Sequence, residues 1–170
     1  MRFTLHTADC RGNEKNVRYP HECQIGSEAE FLAAVGVDHV CAAFQGGRRS
    51  VGNFQSADVL VMDCDNDHSD VPAEWVAPEK LEEMLPGVNY VLAPSRHDGE
   101  VKDGKSPRPR FHVYFPHEPI EDASEYAGLK RAIQARFPFF DGNALDAARF
   151  IYGHPCSQVV WHEGELSIEQ

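Results

Sequence analysis

No stretch of the chain approaches the ~20 consecutive apolar residues that carry a helix across a bilayer, so the sequence offers no membrane span. A secretory start is missing too, because MRFTLHTADCRGNEKN turns polar within a few residues. Cysteine is sparse: Cys10, Cys23, Cys41, Cys64 and Cys156 are odd in number, widely scattered, and contain no C-x-x-C pair. That spacing suggests neither a zinc site nor a disulfide framework, and reduced cytoplasmic thiols are the simplest reading. There is no P-loop, no internal repeat and no low-complexity segment. Positive charge is also short, with 16 Lys and Arg against 27 Asp and Glu and a net charge of −11. Such an acidic balance argues against tight binding to bare nucleic acid, although local clustering outweighs the total.

What the chain does have suits a globular α+β fold. Its 170 residues, 42% hydrophobic, form a one-domain length able to build a core. Residues 2–8 alternate as a first strand, and Ser27-Glu28-Ala29-Glu30 reads as a capping box opening a short helix through Val35. His39 to Phe44 reads as a strand, followed by the Gly- and Arg-containing loop QGGRRSVGN. Val59 to Met62 is an unbroken apolar run, as in a buried central strand. PEKLEEML predicts a helix with Pro78 in its first turn. Val88 to Ala93 predicts another strand, residues 94–109 a polar loop, and Arg110 to Phe115 a strand ended by Pro116. Tyr126, Leu129, Ile133 and Phe137 are spaced for an amphipathic helix over 122–137, and Gln158 to Trp161 suits a last strand.

Two segments carry chemistry. The apolar strand runs into VMDCDNDHSD. Residues two apart on a strand share a face, so Asp63 and Asp65 project together while Cys64 points away. Paired carboxylates on a rigid strand are ligands for hard cations such as Mg²⁺ or Mn²⁺, although an Asp- and Asn-rich stretch after a strand is also a common turn. Asp63, Asp65, Asp67, Ser69 and Glu74 also fall on the ligand positions of an EF-hand loop. Against that rival, His68 stands where glycine is needed, and a strand former precedes the loop. The second segment is RPRFHVYFP, where alternation puts Arg110, His112 and Tyr114 on one face and Phe111, Val113 and Phe115 on the other. Arg96, His97, Lys102, Lys105 and Arg108 precede His112, a cationic cluster suited to phosphate. A solvated charged loop is the plainer alternative.

Together these segments resemble the archaeo-eukaryotic primase superfamily, in particular the primase-polymerases of phages and mobile elements. The motifs are Leu60-Val61-Met62-Asp63-Cys64-Asp65, then Arg110-Phe111-His112, then Phe140-Asp141 followed by Arg149, in the family's order and covering roughly residues 54–153. Arg110 departs from the pattern, which usually has a small residue there. The resemblance implies an RNA-recognition-module-like catalytic sheet beside a smaller αβ unit made by the N-terminal part. It implies a template-directed nucleotidyltransferase, a DNA primase or polymerase joining dNTPs or NTPs with two Mg²⁺ or Mn²⁺ ions. Asp63, Asp65 and a third aspartate, Asp141 or Asp146, would hold the metals, and no zinc is expected. His112, Arg110 and Arg149 would meet the nucleotide's phosphates, with Arg108, Lys105 and Arg96 as further candidates and Arg48 and Arg49 touching template or nucleotide. Single-stranded DNA is the implied template, and a fused or associated helicase and accessory priming domain are expected partners, in a bacterial or phage-infected cell. The expected organisation is a single catalytic domain over residues 1–170, part of a longer replication protein. A metal-dependent phosphatase or nuclease and a non-catalytic nucleic-acid-binding module remain open alternatives.

Overall fold

The computed structural model describes residues 1–156 and 158–170. Its elements are β1 (Phe3–Thr7), β2 (His21–Ile25), α1 (Glu28–Val35), β3 (His39–Val40), β4 (Ala42–Phe44), β5 (Phe54–Cys64), α2 (Pro78–Met84), β6 (Tyr90–Pro94), β7 (Phe111–Ile120), α3 (Ala123–Arg136), β8 (Phe150–Ile151) and β9 (Val160–His162). They form a mixed α and β fold with two sheets, ordered β2-β1-β3-β8 and β4-β5-β7-β6-β9. Every pairing between these strands is antiparallel.

The five-stranded sheet is covered on both faces, which explains the unbroken apolar run in β5. Leu60, Met62 and Cys64 face one core with Leu81 of α2, Tyr126 and Ile133 of α3, and Phe111, Val113 and Phe115 of β7. Val59 and Val61 face the other, with Phe3, Leu5, Ile25 and Phe31 of the first layer and Tyr114 of β7. The middle position belongs to β7, and β5 lies beside it. Alternation on β7 therefore sorts two cores, and Tyr114 is buried rather than exposed beside His112.

Helix starts follow local chemistry. The Ser27 hydroxyl accepts the Glu30 amide at 3.3 Å and donates to the Glu30 carboxylate at 3.0 Å. Asp122 caps α3 by accepting from the Glu125 amide at 2.8 Å.

Several sequence expectations need correction. The segment from His39 to Phe44 is not one strand: it splits at Cys41, and its halves join different sheets. Pro116 does not end β7, which runs to Ile120. A register shift between Ala57 and Val59 of β5 accompanies that extension, so a bulge in the β5–β7 pairing accommodates the prolines inside the sheet. The first sheet is not purely N-terminal, because β8 closes it with Val40 opposite Phe150 and His39 opposite Ile151. That late strand ties the segment following Arg149 to the first layer. Among the described residues, no helix is long and apolar enough to cross a membrane.

Candidate active site

A cleft opens where the C-terminal end of β5 and the start of β7 meet β8 of the four-stranded sheet. In register, Asp63 of β5 stands opposite His112 of β7, one pair beyond the buried pair Met62 and Val113. Cys64 points into the other core. Asn66 then takes a left-handed backbone (φ 54), which Asn tolerates better than most side chains. Its buried amide donates to the carbonyls of Val76 and Pro109 and accepts the Val76 amide. The strand ends at Cys64, so Asp63 is its penultimate residue and Asp65 the first residue beyond it, next to the Asn66 turn.

Asp63, Asp65, Ser95, Arg96, His97, Lys102, His112 and Arg149 line this cleft together with Phe150, Ile151 and Tyr152. His112 Nε2 lies 2.6 Å from Asp63 Oδ1, and Arg149 reaches the other carboxylate oxygen at 3.4 Å. Burial pushes the Asp63 carboxyl up, but His112 and Arg149 outweigh it and hold the group at about 2. Despite the short contact, Asp63 Oδ1 is buried without a well-directed hydrogen bond, a carboxylate oxygen with coordination capacity to spare. Asp65 accepts from Lys102 Nζ at 3.0 Å.

Asp141 and Asp146 separate clearly. The Asp141 amide donates to the Asp63 carbonyl at 2.8 Å, placing Asp141 along the edge of β5. Burial and the neighbouring carboxylates Asp65, Asp63 and Asp67 push its carboxyl up to about 7. Asp146 is exposed and accepts the Ala148 amide at 2.9 Å in a local turn. Neither lines the cleft. Among the described residues, no three His, Cys, Asp or Glu side chains converge on one metal position. The donor chemistry nonetheless fits a hard divalent ion, since Mg²⁺ commonly takes one or two carboxylates and fills its shell with water and substrate phosphate.

The cations expected at phosphate divide into two groups. Arg108 is buried, donating to the Asn66 and Ser69 carbonyls and to Asp70. Arg110 is buried as well, donating to the Asp65 carbonyl and to Asp67, each at 3.1 Å. Lys105 lies 3.4 Å from Asp67. All three rest against the carboxylate loop rather than lining the cleft. The loop's oxygens engage Arg108 throughout, whereas Arg110 keeps Nε and Nη2 without a partner and Lys105 is partly exposed. The same contacts remove the EF-hand arrangement, because Asp67 is engaged by Arg110 and a strand leads into the loop. Arg48 is exposed outside the cleft, and Arg49 donates to the Ala148 carbonyl at 3.0 Å.

The sequence reading passed over Lys130, Phe150 and Tyr152. Lys130 is buried, donates to the Ala144 carbonyl at 2.7 Å, and so anchors the loop that delivers Arg149. A lysine on the Tyr126–Ile133 face of α3 was the available signal.

No protein-family model matches the chain. No curated protein does either. Among solved structures, the chain is similar to the AEP domain (PP-N190) of the primase-polymerase of cyanophage S-2L, with 16% identity, a TM-score of 0.48, and coverage of 97% of this chain and 78% of that one. That likeness assigns no role to any residue of this chain.

Proposed function

We propose that this chain is a metal-dependent, template-directed nucleotidyltransferase, a primase-polymerase core that joins dNTPs or NTPs on single-stranded DNA. One observation carries the reading: Asp63 and Asp65 share a cleft with Arg96, Lys102, His112 and Arg149. Oxygen ligands for a hard cation and donors for a triphosphate therefore face the same space. The motif order read from the sequence supports the same assignment.

In this reading Asp63 and Asp65 hold Mg²⁺ or Mn²⁺, with Asp141 the adjacent third carboxylate. Two such ions, when bound, would supply Lewis acidity at the attacking 3′-hydroxyl and charge neutralisation at the triphosphate. The chain's own groups do the positioning. Lys102 and Arg149 neutralise the carboxylates in the metal-free protein, and both are placed to turn toward phosphate oxygens once a cation takes over that task. His112, fixed opposite Asp63 by strand register with Nε2 on Asp63 Oδ1, would turn to the same phosphates once a cation holds that carboxylate. Arg110 and Arg108 keep the Asp65–Asp70 loop in place. A helicase and an accessory priming domain are the partners this reading implies.

The test is incorporation of dNTPs or NTPs on a primed single-stranded template with Mg²⁺ or Mn²⁺. Template-directed extension by the wild type, lost in Asp63→Asn, is expected. Nucleotide hydrolysis without extension would replace this reading with a phosphatase or nuclease.

A further inference from the structure

Outside the carboxylate machinery, one rim of the cleft carries a continuous ladder of cations and aromatic rings. The Arg96 guanidinium lies 3.8 Å from the centroid of the Tyr152 ring. Tyr152 meets Phe150 edge-on with ring centroids 5.0 Å apart. The Arg49 guanidinium lies 4.8 Å from the Phe150 centroid on the far side. Beyond Arg49 the ladder continues into a basic knot built by two loops. The Arg49 amide donates to the Val17 carbonyl at 2.7 Å, and the Tyr19 amide to the Gly47 carbonyl at 2.9 Å. Arg18 and Arg48 thus stand opposite each other in an antiparallel bridge, both exposed.

Among the described residues, none of Arg18, Arg48, Arg49 and Arg96 forms an ion pair, as is also true of Arg2, Arg11, Lys15, Lys80, Lys130, Arg131 and Arg136. What sets this group apart is that two of its guanidiniums lie over the adjoining Phe150 and Tyr152 rings and the other two face each other in one bridge. The rim is also basic in a protein whose net charge is −11, and holding unpaired cations side by side is unfavourable without an anion between them. The nearest acids of the Ala8–Pro20 loop are Asp9, which pairs with His21, and the exposed Glu14.

The geometry points to this rim as a track for single-stranded nucleic acid, running from the cleft over Arg96 and Tyr152, past Phe150 and Arg49, to Arg18 and Arg48. Bases stack on the outer face of the Arg96 guanidinium and on the exposed parts of the two rings, and the Arg18–Arg48 pair grips the backbone phosphates. Alternating π surfaces and cations with no base-edge readers bind strands regardless of sequence. This inference rests on the nucleotidyltransferase reading for its direction into the cleft, but not for the binding itself.

The experiment measures anisotropy of labelled oligodeoxythymidylate and oligouridylate, each of about twelve nucleotides, with the full chain and without metal or nucleoside triphosphate. Salt is varied from about 20 to about 200 mM. The double variant Arg18→Ala, Arg48→Ala should flatten the plot of log affinity against log salt by about 1.4, since each lost phosphate contact on a single strand removes about 0.7. Arg96→Gln, which removes a stacking face, should weaken binding at every salt concentration. Tyr152→Leu should weaken binding about 5- to 100-fold at every salt concentration with the slope unchanged. An unchanged slope in the double variant overturns the track, as does the absence of saturable binding by the wild type at the lowest salt. Preference between the two oligonucleotides tells DNA from RNA. Binding that behaves as expected in a chain without incorporation sinks the catalytic reading alone, and incorporation with binding unmoved by these variants sinks the track alone.

Discussion

Two sets of cations flank the cleft, one against the carboxylate loop and one along the opposite rim, and they differ in their partners. On one side Arg108 and Arg110, their side chains fully buried, pack against the Asp65–Asp70 loop, and the partly exposed Lys105 meets Asp67 at its edge. On the other, Arg96, Arg49, Arg48 and Arg18 lie against aromatic rings or open solvent with no ion pair among the described residues. The first set holds the site in shape, and the second is available to a ligand. Lys102 and Arg149 stand between them, in the cleft but resting on Asp65 and Asp63.

The comparison can be broken at four places, taken here from the largest effect to the smallest. Asp63→Asn keeps the shape of the side chain but removes the charge that His112 and Arg149 stabilise. Incorporation should fall by about 10³-fold or more, measured as primer extension under single-turnover conditions. Arg110→Met should cost about 1–3 kcal/mol of stability, since the buried guanidinium loses its hydrogen bonds while its partner Asp67 stays partly solvated, read by urea denaturation. A loss below about 1 kcal/mol would place Arg110 among the binders.

The next place lies underneath the cleft. The buried His39 donates Nδ1–H to the Val37 carbonyl at 2.8 Å, so Nε2 accepts from the Tyr114 hydroxyl at 2.6 Å and the ring is held neutral. Burial lowers its pKa to about 4. The unfolded chain takes up this proton near pH 6.5 and the folded chain does not. His39 therefore leaves stability untouched above about pH 6.5 and erodes it as pH falls toward 4. Between about pH 7.5 and pH 4.5 the wild type should lose about 2–3 kcal/mol more than His39→Leu does. Equal losses would mean that the imidazole is protonated in the fold. The smallest effect is expected at Arg48→Ala, which should leave stability within about 0.5 kcal/mol in the same denaturation assay while weakening binding to single strands. A larger loss of stability would make Arg48 another brace.

Much of the site was legible because strand geometry is short-range. The parity of Asp63 and Asp65 follows from the two-residue repeat, and the apolar run before them announced a strand buried on both faces. The Ser27 capping box and the helix from Pro78 were equally local. What escaped depends on contacts between distant segments. Arg108 and Arg110 sit in a basic stretch that reads as a phosphate grip, and only the fold shows that residues 65–70 come back to occupy them. Nothing in HECQI alternates, because β2 is an edge strand with most of its side chains exposed. The two-residue β8 is too short for any period, yet it delivers Phe150 to the rim. Pro116 misled because its effect on a strand is set by the partner, and β5 shifts register there. Between Asp141 and Asp146 the sequence favours Asp141, which follows Phe140 and lies eight residues before Arg149, and the Asp141 amide on the Asp63 carbonyl shows where it sits.

The central claim is that carboxylates and cations of one cleft form a joint site for a divalent metal and a triphosphate. Its most direct test is Mn²⁺ binding to the metal-free chain, followed by electron paramagnetic resonance with and without a non-hydrolysable nucleoside triphosphate. The account predicts that each ligand tightens the other by the same factor, as reciprocal linkage requires, and that Asp65→Asn abolishes this coupling. Mn²⁺ affinity indifferent to the nucleotide, or coupling intact in Asp65→Asn, would contradict it.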